Sequence, residues 1–553
     1  MPSPSPAAIS SHAIRDRIAF SRLPWIRPLL GAYVEDFSSV AALFAGDPGN
    51  EDAWRRTITT VQRESKHRDL IARVLAEQLA GRGAPAAARE AAGHLADTRT
   101  VAVVTGQQAG LFGGPLYTIL KAVTAIQVAR EVNAKYGVAA VPVFWVDAED
   151  HDWEEVRSAP VLDRDSKVAT VTLPGLTGSG QVPVGRLVID SQFDDVWASL
   201  ESALPPTEFT PEVMGLLKRR YTPGARMGSA FAGWLEDLLG AEGLVVFEAD
   251  DPAAKPAAAG VFACEVQRPA GIGALVREAA AALREAGHEP QIDPGPDAVC
   301  LFYLADDGRR SIKRQDDKFT AGARSWSRQE LAAEVAAHPE RFSPNVALRP
   351  LVQDTLFPTV CYVAGPSELA YQAQLGRAYA ECRVAQPLLY PRSSVTILDS
   401  PAARFLERHP LPLESLQAQG EAALNRLLEE QLPPDIEAAF AEMARVVAAG
   451  THRLKDSVAA VDPTLVGAVD TTSERVTDTL HSLHNKIVQA AKRRDETTRR
   501  QFMRTQALTF PNGHPQERVL SLAFFANRYG PSFARRLVDV LPAATDQHYL
   551  ITF

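Results

Sequence analysis

TVAVVTGQQAGLFGGPLYTILKAVTAIQVAREVNAKYGVAAVPVFWV, residues 100–146, decides the fold. It begins with TVAVVTG, a β-branched apolar run ending in glycine, the composition of a strand buried on both faces. The glycine-rich turn QQAGLFGG follows. Pro115 then opens PLYTILKAVTAIQVAREVNAKYG, because proline suits a first helical turn and Gly137 suits the stop. Leu116, Leu120, Val123, Ile126, Val128 and Val132 give this helix a broad apolar stripe. VAAVPVFWV reads as a second buried strand, which completes one βαβ unit within about fifty residues.

On either side of this unit the 553-residue chain organises itself around it. Residues 1–99 read as a helical segment packed on the core, and 100–160 hold the βαβ unit. Residues 161–240 are less regular and read as an inserted lobe, and 241–410 as the rest of an α/β core with insertions. Strands are predicted at VATVTL, GRLVI, GLVVFEAD, AVCLFYL, PTVCYVAG and QPLLYP, alternating with helical stretches as an α/β fold requires. From 411 to 510 the chain is almost wholly helical, broken at Pro433-Pro434 and near Pro463. Ile436, Phe440, Met443 and Val447 alternate spacings of four and three, as do Val476, Leu480, Leu483, Ile487 and Ala490. That spacing predicts an antiparallel coiled-coil pair whose arms reach on the order of 40 Å. The tail, 511–553, is expected to return to the core.

Composition narrows the function. Apolar residues make 46% and charged residues 23%, ordinary globular values. With 58 Lys+Arg against 67 Asp+Glu the formal charge is −9, so a whole-molecule basic footprint for nucleic acid or an anionic membrane is absent. The basic stretch Lys486, Lys492, Arg493, Arg494, Arg499, Arg500 and Arg504 reads as the solvated face of a long helix, since no aromatic platform accompanies it. The longest apolar run, 138–146, is far short of a membrane span of about 20 residues. The N-terminus carries charges before any apolar stretch, unlike a secretory signal. Cys264, Cys300, Cys361 and Cys382 have neither metal-site nor disulfide-framework spacing; free thiols in a cytoplasmic protein are expected.

In a parallel α/β sheet, ligands bind beyond the carboxyl ends of the strands. The first strand ends in Thr105, Gly106, Gln107 and Gln108, matching neither the dinucleotide fingerprint nor a P-loop. The second ends in DAEDHDWEE, where Asp147, Glu149, Asp150, His151 and Asp152 crowd four carboxylates and an imidazole into six residues. Their mutual repulsion needs a cation, hydrogen-bond donors or solvent to relieve it. A divalent-metal platform on Asp147, Glu149 and Asp150, a general base, or a set of acceptors for sugar hydroxyls all fit. His151 is the best single base, its ordinary pKa lying near neutrality. RPLVQDTLFPTVCYVAGPSELAYQAQL, residues 349–375, repeats the grammar of strand, glycine turn and helix. It contributes Gln353 and Asp354, then Glu368, Tyr371 and Gln374 at three-residue spacing on one helix face. Arg392, Ser393 and Ser394 follow a further strand end and suit an anion clamp.

Taken together, VVTGQQAGLFGGPLYTILKA, PVFWVDAEDHDWEEV, the 349–375 segment and LYPRSSVTILDS resemble the cysteine-adding ligase family of bacillithiol biosynthesis. The segments fall in order across essentially the whole chain, with Phe357 and Cys361 standing where the family pattern has Leu and Ala. The resemblance implies a Rossmann-like core with inserted connecting segments, a coiled-coil domain and a homodimer. It implies addition of cysteine to glucosaminyl-malate, with the carboxylate activated by ATP or another nucleotide as an acyl phosphate or adenylate. Carried over by position, the family's pocket falls on the residues already named and adds Tyr117 and Lys121. Lys121 and Arg392 would serve as fixed charges, Mg²⁺ would sit on the acidic loop, and Arg157, Arg349 and Arg392 are available for the malate carboxylates. A nucleotide site near the helical domain is also implied, with Gln516, Glu517, Arg518, Asn527 and Tyr529 as candidates. The competing expectations are a metal-dependent or nucleotide-transferring enzyme in the same pocket, and a docking or RNA-binding protein acting through its helical arm.

Overall fold

Apolar runs that cannot alternate between core and water must pair inside a sheet covered on both faces. The computed structural model describes residues 13–64, 67–306, 308–316, 318–429, 434–494, 496–543 and 546–553. In it β1 (Val101–Gln107), β2 (Ala140–Val146), β3 (Val245–Glu248), β4 (Thr359–Ala364) and β5 (Leu388–Pro391) form one sheet in the order β5-β4-β1-β2-β3. Every neighbouring pair is parallel. The crossover from β1 to β2 is α1 (Tyr117–Tyr136), stopped by Gly137 in the left-handed region. All six apolar positions of the predicted stripe are buried. Ala125, Val128 and Val132 of α1 meet Trp54 and Val61 of the helix Glu51–Arg63 over Val101, Val103, Val360 and Leu388 of the sheet.

The chain divides into two compact units, one running to Ile397 and resuming at Pro515–Phe553, the other Leu398–His514. Several strands of the first escaped the sequence reading. The segment up to residue 99 is not purely helical, since Ile14–Ala19 pairs antiparallel with Gln547–Thr552. GRLVI is a 3₁₀ turn, Val184–Arg186, followed by an isolated bridge from Val188 to Arg226. Gly185 abuts Ala148 too closely for a strand side chain, a Cβ there standing 2.4 Å from that of Ala148. Ala298–Ala305 belongs not to the parallel sheet but to a separate antiparallel one with Gly308–Gln315, Lys318–Ala321, Arg324–Ser327 and Phe342–Pro344.

Cysteine is a second correction. Cys264 and Cys382, on the helices Ala259–Gln267 and Gly376–Cys382, form a disulfide with their Cα atoms 5.7 Å apart. Only Cys300 and Cys361 are free, and both are buried. Pairing across 118 residues cannot be read from spacing, because it depends on two helices meeting in space. Closing so long a loop restricts the unfolded chain, so Cys264→Ser is expected to cost about 2–4 kcal/mol. Urea titration with and without reductant checks this: wild type should fall to the variant's midpoint on reduction, whereas a midpoint indifferent to reductant contradicts it.

In the second unit α2 (Pro434–Ala459) and α3 (Val466–Arg494) run antiparallel around a turn in which the Asp462 side chain accepts from the Thr464 N–H. Phe440 lies edge-on to His484, Thr451 bonds Ser473, and Lys455 pairs with Asp470, a descending register that fixes the direction. Met443, Val476 and Leu483, expected in the seam, are 45%, 39% and 45% exposed and flank it instead. Pro433 and the side chains of Lys492, Arg493 and Arg494 lie outside the described residues. No helix among the described residues is long and apolar enough to cross a membrane.

Candidate active site

Beyond the carboxyl ends of β1, β2, β4 and β5 lies a cavity of about 570 Å³, a size suited to small molecules. Gln107 and His151 both line it, so the two chain reversals singled out in the sequence face one space. Gly106 has to be glycine, because a Cβ would stand 2.6 Å from the carbonyl oxygen of Trp145 on the paired strand. Gly106→Ala should therefore wedge β1 from β2 and cost about 1–3 kcal/mol by thermal unfolding, and an unchanged midpoint would refute the close approach. Trp145 lines the cavity, and its buried indole N–H finds no partner among the described residues.

Lys121 projects from the second turn of α1 and is 3% exposed. Its ammonium donates to the Gly106 carbonyl at 2.7 Å and to Gln107 Oε1 at 3.0 Å, and pairs with Glu368 at 2.5 Å. Burial pulls Lys121 below its ordinary range despite the pull of Glu368. Burial works the other way on Glu368, but Lys121 together with the Tyr362 hydroxyl and the Gly365 N–H holds its carboxyl low. Gln107 also donates to the Tyr117 hydroxyl at 3.2 Å, and burial pushes that phenol up to about 12.

The acidic loop is relieved in four different ways. Asp147 faces the cavity 3.8 Å from Arg349, and burial first, then Asp150, pushes its carboxyl up to about 6 against the pull of Arg349. Glu149 turns away into a buried ion pair with Lys255. Asp150 accepts from Gln108 at 2.6 Å and from the His151 N–H at 2.7 Å, with Arg309 3.6 Å away; these donors outweigh burial and keep its carboxyl low. Asp152 caps the short helix Trp153–Val156 by accepting from the Glu155 N–H.

The expected metal platform fails on this geometry. With Glu149 committed to Lys255, the three carboxylates do not converge, and no group of three His, Cys, Asp or Glu among the described residues could hold a metal ion. His151 lines the cavity with its Nδ1 3.2 Å from Arg309 and 3.6 Å from Asp150. A guanidinium only donates, so accepting from Arg309 at Nδ1 leaves the proton of the neutral ring on Nε2.

Other expected residues stand behind the cavity wall. Thr105 bonds the Val363 carbonyl, Gln353 links Arg349 to Asp354, and Asp354 accepts from the Tyr379 hydroxyl. Gln374 holds the backbone of Gln291 and Ile292. Ser393 bonds Thr124, and Ser394 lies between Glu517 and His548. Thr105, Gln353, Asp354, Gln374, Ser393 and Ser394 do not line the cavity. Tyr371, which does line the cavity, accepts from Arg349 at 2.6 Å. Arg157 pairs with Glu154 and does not line the space.

Of the five nucleotide-site candidates only Arg518 reaches the cavity. Gln516 bonds both backbone groups of Ile397, and Glu517 forms a buried bidentate pair with Arg392 at 2.7 and 3.0 Å. Asn527 is spent on Thr210 and the Pro205 carbonyl, and Tyr529 packs on Phe553. The sequence reading missed Phe302, Arg309 and Asn345, which enter from the antiparallel lobe. Arg309 stacks 3.8 Å over Phe302 and donates to Ser343 and Pro344, so its guanidinium is fixed from three sides.

Fold and cavity together define a Rossmann-like α/β protein with a densely charged small-molecule site. Residues 16–393 match the family described as bacillithiol biosynthesis BshC, N-terminal Rossmann-like domain, and residues 395–553 match its C-terminal coiled-coil domain. Curated relatives named "Putative cysteine ligase BshC" agree. One from Salinibacter ruber is 34% identical over 99% of this chain and 100% of its own length. Another from Koribacter versatilis is 30% identical over 95% and 97%, and one from Symbiobacterium thermophilum 31% over 93% and 95%. The chain belongs to the BshC family of bacillithiol biosynthesis.

Proposed function

We propose that this chain joins the carboxyl group of L-cysteine to the amine of glucosaminyl-malate, forming an amide. The carrying observation is the single cavity that gathers Gln107, Lys121, Asp147, Asp150, His151 and Arg309 at the ends of the parallel strands. A carboxylate is a poor electrophile, and ATP or another nucleotide would supply its activation.

Amide formation makes a C–N bond, breaks the C–O bond to the activating group, and releases one proton from the amine. Asp147 is the group best matched to take it, because a carboxyl held near pH 6 is largely ionised at neutrality yet basic enough to accept. His151 Nε2–H is a donor available to the carbonyl oxygen as charge develops there. Asp150 and Arg309 hold His151 in place. A homodimer completes the reading, supported by the apolar Met443, Val446, Leu454 and Leu483 left in water along α2 and α3.

Mass spectrometry of the purified chain with cysteine, glucosaminyl-malate, Mg²⁺ and a panel of nucleoside triphosphates tests the activity. The amide is expected with at least one nucleotide, and its absence with all of them rejects the proposal.

A further inference from the structure

Ion pairs within the protein consume most of the charge that lines the cavity. Lys121 is matched by Glu368, Arg349 by Asp147, Arg309 by Asp150 and Arg392 by Glu517. Two lining residues are left over. Glu155 accepts from Gln108 at 2.8 Å, and among the described residues neither Glu155 nor Arg518 has an oppositely charged partner. Both are exposed, so they stand at the rim. Both act on Tyr117, Glu155 pushing its phenol up and Arg518 pulling it down.

Unpaired charges on an open surface are satisfied by water and carry no meaning. These two rim one cavity, are opposite in sign, and sit on anchored backbone. The Glu155 N–H is capped by Asp152, and Arg518 follows directly on Gln516 and Glu517, which are buried and bonded to Ile397 and Arg392. A ligand that satisfies both must carry a cation and an anion, and both charges act on the one Tyr117 phenol at the cavity wall.

We propose that Glu155 and Arg518 form the amino-acid subsite of the cavity, Glu155 receiving the α-ammonium and Arg518 the α-carboxylate of a zwitterion. The inference rests on the ligase reading and assigns a place to its cysteine. It also explains a chemical requirement: cysteine has an amine of its own, and a carboxylate that keeps this amine protonated leaves the sugar amine as the only free amine.

The test is calorimetric binding, under anaerobic conditions, of L-cysteine, 3-mercaptopropionate (no ammonium) and cysteamine (no carboxylate) to the full chain, to Glu155→Gln and to Arg518→Gln. Wild type should prefer cysteine to either analogue by about 5–20-fold, as expected for one charge-assisted contact at a wet rim. Glu155→Gln should lose the preference over 3-mercaptopropionate alone, and Arg518→Gln the preference over cysteamine alone. A general structural lesion weakens all three ligands and leaves the ratios intact. Wild-type ratios in both variants, no preference in wild type, or no binding of cysteine overturns the subsite. Amide product with unshifted ratios removes the subsite and leaves the ligase; shifted ratios without product do the reverse.

Discussion

Asp147→Asn is expected to slow amide formation by about 10²–10⁴-fold, the usual worth of a positioned general base, while making the protein more stable at neutral pH. The two effects share one cause. Burial lifts the native carboxyl to about 6, whereas the unfolded chain titrates near 3.9. The native state therefore holds the proton more tightly, so the stability Asp147 contributes is fully present below pH ~4 and is lost as pH rises through ~6. An uncharged Asn removes that loss, and after discounting for the partly open side chain the gain above pH 6 is about 1–2 kcal/mol. Urea unfolding from pH 4.5 to 7.5 should show the variant's advantage growing with pH. Wild-type rates should climb through pH ~6 as the base ionises, a limb the variant lacks. A variant equally active, or equally stable at every pH, removes Asp147 from the mechanism.

Arg392→Met should be the most damaging single change to stability, costing about 3–5 kcal/mol. Both partners of the Arg392–Glu517 pair are almost wholly buried, with side chains 6% and 4% exposed. Burial disfavours the Glu517 anion, and Arg392 is the main group holding its carboxyl below the ordinary range. Without the guanidinium, the Ser394 hydroxyl and the Val395 N–H remain as hydrogen-bond donors to the stranded carboxylate, with His548 acting on it as well. The variant should consequently regain stability as the solution is acidified and Glu517 takes up a proton. Arg392→Met with Glu517→Gln should recover more than half of the loss, because the penalty comes from the unpaired charge. Equal losses in the single and double variants would show that shape, not charge, is at stake.

How much of this was legible beforehand depends on what each residue answers to. Strand and helix around residues 100–146 follow from local period and composition, and the cavity at their carboxyl ends follows from parallel-sheet geometry. Gly308–Gln315 was not legible. GRRSIKRQ carries only Gly308 and Ile312 to the interior, so its pattern resembles a solvated segment, and Arg309 within it reaches the site only because the antiparallel lobe meets His151 in the loop after β2. The acidic loop shows the same limit at finer grain. Its clustering was plain, but which carboxylate meets Arg349, Lys255, Gln108 or a helix start depends on partners up to 202 residues away. Long-range pairing likewise hid the Cys264–Cys382 link and the strand pairing of the two ends of the chain.

The account stands on one cavity holding both the amine and the carboxyl that are to be joined. Crystals grown with glucosaminyl-malate and cysteine, without nucleotide, test that directly. Density for the sugar amine within hydrogen-bonding reach of Asp147, with cysteine between it and the rim, is the result expected. Either substrate bound elsewhere on the chain, while solvent alone fills the space between Gln107 and His151, would contradict it.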